Sequence, residues 1–576
     1  MFNFDSLQHT SIYQQAIDDS DDSDGEGGMG NVNRLIMRPA GHSGKAKRGH
    51  LCFDASFETG NLGRVDLVND YEYDLYVRPD TCCPKLRFWF NFTVDNVRLQ
   101  QRVVFNIVNF SKARNLFNGD GLMVPIVRST SRSKWQRIPK RMVFYQRSVA
   151  HKNQYVLSFA FVFDKEDEIY HFALTYPYGY NRAQAFLGQL ETKCADLGEG
   201  FKRECIGNTI QKRPVDLLTI GNNSPITGTK RRIVVIIART HPGQAPTSFV
   251  CQGMIELLIS AHSIATKLRE HILFKIIPML NPDGVFVGNY RSTIIGADLN
   301  RMWHRASPFA HPALTAIIAH LTEYEKNKDY QIDFVIDIHA HASLLGSFIY
   351  GNSYDDVYRN ERHILFPKLL GNMADDFDPR SCMYNSCPSK AGTARRYFCT
   401  AFNDKLNAYS YEVSMFGYKL KSSDAVIPYT EESYKRCGRN LLKALLEYYR
   451  VTEVIPLSLT QDVKEKSTRR VKKSRKTRPC NISSSRSHTQ RVAAPVHYKE
   501  INMYYDSESS PEREDDRPLF RSKFGKKTRK NTSSGKNKTE NVSRSSSPVL
   551  MVMPPTNEPC LTIIDFNIIT ENELKM

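Results

Sequence analysis

The chain has 576 residues, 41% of them apolar and 11% aromatic, which is enough for two or three domains with sizeable cores. Its formal charge is +18, but residues 461–550 alone hold 23 Lys and Arg against 10 Asp and Glu. The basicity therefore belongs mainly to one tail, and a nucleic-acid protein is not the expectation. The 12 Cys form no spaced framework and no CxxC set, which excludes a disulfide scaffold and fits reduced thiols in the cytosol.

Residues 1–47 are polar and Gly-rich, with six acids between Asp18 and Glu26, and are expected to be disordered. The opening Met1-Phe2-Asn3-Phe4-Asp5 lacks the basic start and apolar core of a signal peptide. No apolar run reaches the roughly 18 residues that span a bilayer, so a cytoplasmic protein without membrane contact is expected. From residue 48 to 175 short β-rich runs follow one another, among them Leu86–Phe92, Val103–Val108, Tyr155–Phe161 and Tyr170–Ala173. Their alternation and the turn residues between them predict a small antiparallel β-sandwich.

Over residues 176–454 the pattern changes to alternating strands and helices. Apolar strands are predicted at 232–238, 273–280 and 333–338, and helices near 247–260, 311–326 and 431–449. Such alternation implies an α/β domain with a mixed sheet covered by helices. Residues 455–576 turn Ser-, Lys- and Arg-rich and are expected to be a disordered basic tail.

Four pieces of the α/β region carry chemistry. His241-Pro242-Gly243-Gln244 follows the strand Ile233–Ala238, at the strand-to-helix junction where α/β proteins place their sites. Asn281-Pro282-Asp283-Gly284 precedes Gly288-Asn289-Tyr290-Arg291 and Asp298-Leu299-Asn300-Arg301. Asp337-Ile338-His339-Ala340-His341 ends a strand, and Tyr409-Ser410-Tyr411-Glu412 is an extended stretch with one acid. Each piece alone is weak, since H-x-x-Q is uninformative and Asn-Pro-Asp-Gly is simply a turn. Their order within one domain is far more specific. A catalytic zinc takes three protein ligands and keeps a position for water, and a short-spaced pair plus a distant strand-end His supplies such a set. Glu412 then offers a general base, and Arg291, Asn300 and Arg301 offer donors for a carboxylate.

Together these residues resemble the cytosolic carboxypeptidase family of zinc carboxypeptidases, whose pattern runs H-P-G-E, N-P-D-G-V, G-N-x-R, D-L-N-R, D-x-H-x-H and a late acid. Gly49–Gly63 and Phe105–Lys112 also resemble the β-sandwich that precedes the peptidase domain in that family. The resemblance covers residues 48–450 and implies His241, His339 and the residue at 244 as ligands of one Zn²⁺, with Glu412 as the catalytic acid/base. It implies that Arg291, Asn300 and Arg301 polarise the scissile carbonyl and hold the terminal carboxylate. His341 is read as a neighbour of the ligand His339. Arg395 and Arg396, in Lys390–Arg396, are read either as contacts for an acidic last residue or as a structural helix start. The implied activity is removal of C-terminal glutamate from acidic protein tails, tubulin tails on microtubules above all. The basic arm would attract such tails, or serve as a nonspecific polyanion patch.

One position departs from the family pattern. Gln244 stands where the pattern has Glu, and it presents a neutral amide oxygen instead of a carboxylate. A weaker metal ligand is the consequence. Two readings follow, a working zinc carboxypeptidase and a family member that binds acidic tails without cleaving them.

Overall fold

A computed structural model describes residues 30–111, 123–223, 230–421, 423 and 425–456. The acidic run at Asp18–Glu26 and nearly all of the basic tail lie outside these residues.

The N-terminal part is a sandwich of a six-stranded and a five-stranded sheet. The strand Gln154–Phe163 shows why: Leu157, Phe159, Phe161 and Phe163 are buried, while the residues between them are partly exposed. Alternation with period two sends one set of side chains between the sheets. There Phe105 meets Phe53, Phe92, Phe159 and Phe172 with ring centroids 5.5–6.1 Å apart, mostly edge to face. Phe105→Ala is expected to remove about 3–5 kcal/mol of stability, read as a lower urea midpoint; an unchanged midpoint would show that this ring cluster does not hold the domain together.

Two expectations for this domain are corrected. Ordered structure begins before residue 48, because Leu35–Ile36 pairs with Cys52–Asp54 and Asn31 Nδ2 donates to the carbonyls of Ala55 and Gly60, both at 2.9 Å. An apolar run this short has no readable alternation, but a sheet edge offers it unpaired backbone groups. The sandwich is also not wholly antiparallel, since Glu72–Tyr76 runs parallel to Gln101–Ile107.

The second part is built on an eight-stranded mixed sheet. Its centre is the strand Arg231–Ala238, flanked in parallel by Ile272–Ile277 and Tyr330–His341. Beside Tyr330–His341 lies Asn407–Ser414, also parallel. These strands are buried on both faces: Val234 and Ile236 enter one apolar layer, Val235 and Ile237 the other. A near-continuous Val/Ile run is what such a strand requires. On the first face Pro246–Leu258 packs against Glu431–Val451. Gly438 permits the close crossing, for a Cβ there would sit 2.0 Å from the Val250 carbonyl oxygen. Pro312–Lys326 and Ala394–Ala401 cover the other face.

Because these four strands run in parallel, their C-terminal ends share one edge of the sheet. Ala238, His339 and Glu412 all come out there.

Candidate active site

The turn after Arg231–Ala238 is held by its own residues, by one distant strand and by one distant loop. Arg239 takes the left-handed conformation with φ 56°, and its buried guanidinium donates from Nε to the Pro242 carbonyl at 2.8 Å. Thr240 Oγ1 donates to Asp337 at 3.0 Å. Gly243 N–H donates to the Tyr290 carbonyl at 2.6 Å, and a Cβ at 243 would lie only 2.9 Å from that same oxygen. Only glycine allows this approach.

His241, delivered by the turn, is buried with its Nε2 3.0 Å from Asp298 Oδ1. A carboxylate only accepts, so the ring proton sits on Nε2 and Nδ1 presents a lone pair. Burial, with the Arg291 cation adding to it, lowers the imidazole to about 4. Nδ1 has no hydrogen-bond partner among the described residues. Asp298 also accepts from Arg291 Nε at 2.8 Å. Burial opposes its charge, but Arg291, His241 and Arg301 hold the carboxyl well below the ordinary range.

His339 repeats the arrangement. Its Nε2 lies 2.6 Å from Asp337 Oδ2, and its Nδ1 faces Gln244 Oε1 at 3.2 Å. Burial favours the neutral ring, but Asp337 and then Glu412 outweigh it and raise its proton affinity above the ordinary value. The two imidazole rings are 5.0 Å apart. Gln244 Oε1 accepts from the backbone N–H of Ala340 at 3.0 Å, which fixes the amide oxygen beside His339. Glu412 is the register partner of His339 on the adjoining parallel strand and is buried, so the two side chains leave the same face of the sheet.

These atoms pass a chemical test for a divalent metal. Each imidazole has its Nε2 engaged by a carboxylate, the arrangement that orients a metal-binding histidine and raises its basicity. A buried nitrogen acceptor without a partner, such as Nδ1 of His241, is costly unless something satisfies it. Among the described residues no three His, Cys, Asp or Glu side chains form a metal-binding group, because the third donor beside the two histidines is the amide oxygen of Gln244. The donor set is thus two imidazole nitrogens and one neutral oxygen, borderline and hard donors that zinc accepts.

The remaining predicted residues divide. Asn300 is buried at the edge of the site, its Oδ1 accepting from Ala394 N at 3.0 Å and its Nδ2 3.2 Å from His339 Nε2. Arg301 is half-buried next to it and donates to the Asn300 carbonyl at 2.9 Å. Arg395 is buried, and its guanidinium donates to the carbonyl of Gly351 and to Asn385 Oδ1 at 3.0 Å, tying a strand end to a loop. Arg396 is half-buried and reaches Asn352 Oδ1 at 3.2 Å. Through its Nδ1, His341 accepts from Leu344 N at 2.9 Å, so it closes the turn after its strand. Sequence reasoning assigned no role to Asp298 and Asp337, the carboxylates that orient both imidazoles. Asp337, two residues before the candidate ligand His339, carried an available signal, whereas Asp298, 57 residues from His241, was marked only by its place in the Asp298-Leu299-Asn300-Arg301 motif.

A mixed sheet whose parallel strand ends carry two carboxylate-backed imidazoles, an amide oxygen beside one of them and a buried glutamate has the architecture of the metallocarboxypeptidase fold. A zinc carboxypeptidase profile matches residues 183–436, and a cytosolic carboxypeptidase N-terminal domain profile matches 53–173. The chain is 49% identical over 427 residues to cytosolic carboxypeptidase 6 of Mus musculus, covering 74% of this chain and 78% of that one. With the protein of the same name from Caenorhabditis elegans the identity is 41% over 412 residues, covering 70% and 88%. The chain belongs to the cytosolic carboxypeptidase family. In fold it is similar to a metallo-carboxypeptidase of known structure from Burkholderia cenocepacia, with a TM-score of 0.59 and 21% identity over 70% of this chain and 100% of that one.

Proposed function

We propose that this protein is a zinc-dependent carboxypeptidase that removes glutamate from the C-termini of acidic protein tails in the cytosol, tubulin tails among them. The observation that carries the reading is the pair of imidazoles, His241 and His339, each backed by a carboxylate at Nε2, with Nδ1 of His241 unpartnered among the described residues and Gln244 Oε1 and Glu412 beside His339. Bound there, zinc supplies Lewis acidity that favours a hydroxide-like water and a polarised carbonyl at neutral pH.

The chain's own residues do the rest. Glu412 takes the proton of the attacking water and returns it to the leaving amine, the general base acting next as general acid. Arg291, fixed through Nε by Asp298, faces charge developing on the scissile carbonyl oxygen. Asn300 and Arg301 hold the substrate's terminal carboxylate, for which a planar guanidinium is the better cation. An acidic tail is a suitable partner for this cluster of arginines and for the Lys- and Arg-rich segment at 461–550. Neither a membrane nor a nucleic acid is part of the reading; among the described residues no single helix is long and apolar enough to cross a bilayer.

Gln244 favours a second reading, in which the cleft binds acidic tails and does not cleave them. Zinc-loaded protein incubated with a peptide ending in several glutamates distinguishes the two. Stepwise loss of single glutamates by mass spectrometry, absent for a peptide ending in lysine, is the expected result. Binding of the peptide by the wild type without any loss, while Gln244→Glu binds zinc and releases glutamate, would establish the second reading.

A further inference from the structure

The segment that carries Arg291 is gripped from outside the peptidase domain. Asp80, in the turn that follows the strand Glu72–Tyr76 of the β-sandwich, is 3% exposed. Its carboxylate accepts three consecutive backbone N–H groups, from Tyr290, Arg291 and Ser292, and the Ser292 hydroxyl as well, at 2.5–3.0 Å. Successive N–H groups converging on one anion form a nest, which fixes the backbone conformation of the residues that make it. Asp80 is itself fixed, with its N–H on the Leu86 carbonyl at 2.8 Å and its own carbonyl accepting from Cys83 at 2.9 Å.

The gripped tripeptide reaches the donor atoms along two routes. Arg291 Nε bonds Asp298, whose other oxygen holds His241 Nε2. The Tyr290 carbonyl accepts from Gly243, inside the turn that carries both His241 and Gln244. We infer that Asp80 is a positioning residue of the active site, through which the β-sandwich domain sets the placement of Arg291 against the reacting carbonyl. The inference rests on the carboxypeptidase reading above.

The physical expectation is specific. Asn at position 80 is nearly isosteric, but either orientation of its amide points an NH₂ at a backbone N–H, so the nest opens. Arg291 then shifts, and a catalytic group displaced by about 1 Å loses roughly 10²-fold in rate. Because Arg291 is read as a transition-state contact, the loss falls on kcat while KM stays within about threefold.

The test measures kcat and KM for glutamate release from the full-length zinc-loaded chain, in the wild type or, if it turns over faster, in Gln244→Glu. Asp80→Asn, Arg291→Ala and the double variant form a cycle. Thr81→Val, in the same turn, deletes only a hydroxyl bonded to Asn289 at 3.1 Å and serves as the comparison for a general loosening of the domain contact. Expected are a kcat loss of roughly 10–100-fold for Asp80→Asn, no further loss when it is added to Arg291→Ala, and a Thr81→Val variant whose melting temperature falls with kcat retained. Multiplying losses in the double variant, or a Thr81→Val variant that loses kcat as much as Asp80→Asn, would overturn the positioning role while leaving the enzyme reading intact. A parent chain that binds zinc and releases no glutamate in either background would remove both. Should Asp80→Asn not fold, Ser292→Ala, which removes one of the four donors, is expected to show the same kcat-directed loss in smaller degree, and an unchanged kcat there overturns the role.

Discussion

Replacing Gln244 by glutamate is expected to raise the zinc affinity of the purified protein by at least about 30-fold, measured by competition with a chromophoric chelator. The estimate is a lower bound: a full negative charge about 2 Å from a cation adds roughly 2 kcal/mol per unit charge even when screened as in bulk water. The substitution disturbs little else, because the oxygen that faces His339 Nδ1 and accepts from Ala340 N–H exists in both side chains. In the wild type the negative charge stands one bond network further out, on Asp298 and Asp337, which act on the metal position through the two imidazoles. The prediction therefore has a companion: Asp298→Asn or Asp337→Asn weakens zinc binding more in the wild type than in Gln244→Glu. Equal zinc affinity of wild type and Gln244→Glu would show that residue 244 does not contact the metal.

Glu412→Gln is expected to lower kcat for glutamate release by about 10²–10⁴-fold, the usual contribution of a general base, with the zinc content unchanged. The buried carboxylate is the register partner of His339 and contributes to its raised proton affinity, so it lies at the reacting centre without belonging to the donor set. Gln is the same size and accepts hydrogen bonds but takes no proton. KM and zinc stoichiometry separate a chemical loss from a collapsed cleft, and full turnover in Glu412→Gln would assign the proton transfer to another group. If the wild type turns over too slowly to measure, the same comparison in Gln244→Glu gives the answer.

The two predictions also bear on each other. A chain that binds zinc weakly through two imidazoles and an amide still presents its arginine and asparagine donors, and so still meets an acidic tail. Restoring the third charge while removing the base yields a zinc-loaded chain that binds and does not cut. Comparing it with wild type measures how much of the cleft's purpose is chemistry and how much is recognition.

Much of the architecture was legible in the residues themselves. The run Ile233–Ala238 had to be a doubly covered strand because no polar face interrupts it, and the structure extends it by only two residues, from Arg231. The helices over Pro246–Leu258 and Pro312–Lys326 end within two residues of where their periodicity places them. The helix Val357–Met373 was not legible: Pro367 lies inside it and its apolar residues make no strong stripe, so burial against the Glu431–Val451 helix decides it. His241, Gln244, His339 and Glu412, which the structure brings to one end of the sheet, lie in or shortly after strands and in short motifs that stand out in the sequence.

Sequence by itself determined the kinds of chemistry present, two strand-end histidines, an amide where an acid is usual, a late glutamate and a set of arginines. Only the tertiary structure decided which atoms of those side chains remain for the work. It occupies both Nε2 atoms with Asp298 and Asp337, which leaves Nδ1 of His241 without a partner among the described residues and Nδ1 of His339 facing Gln244. It binds Arg395 to backbone and side-chain oxygens and uses His341 to close a turn. It brings Asp80 onto the backbone of Arg291 across 211 positions of sequence. The reason is physical: periodicity and turn chemistry act over a few neighbouring residues, whereas the state of a buried polar atom depends on whichever distant group satisfies it.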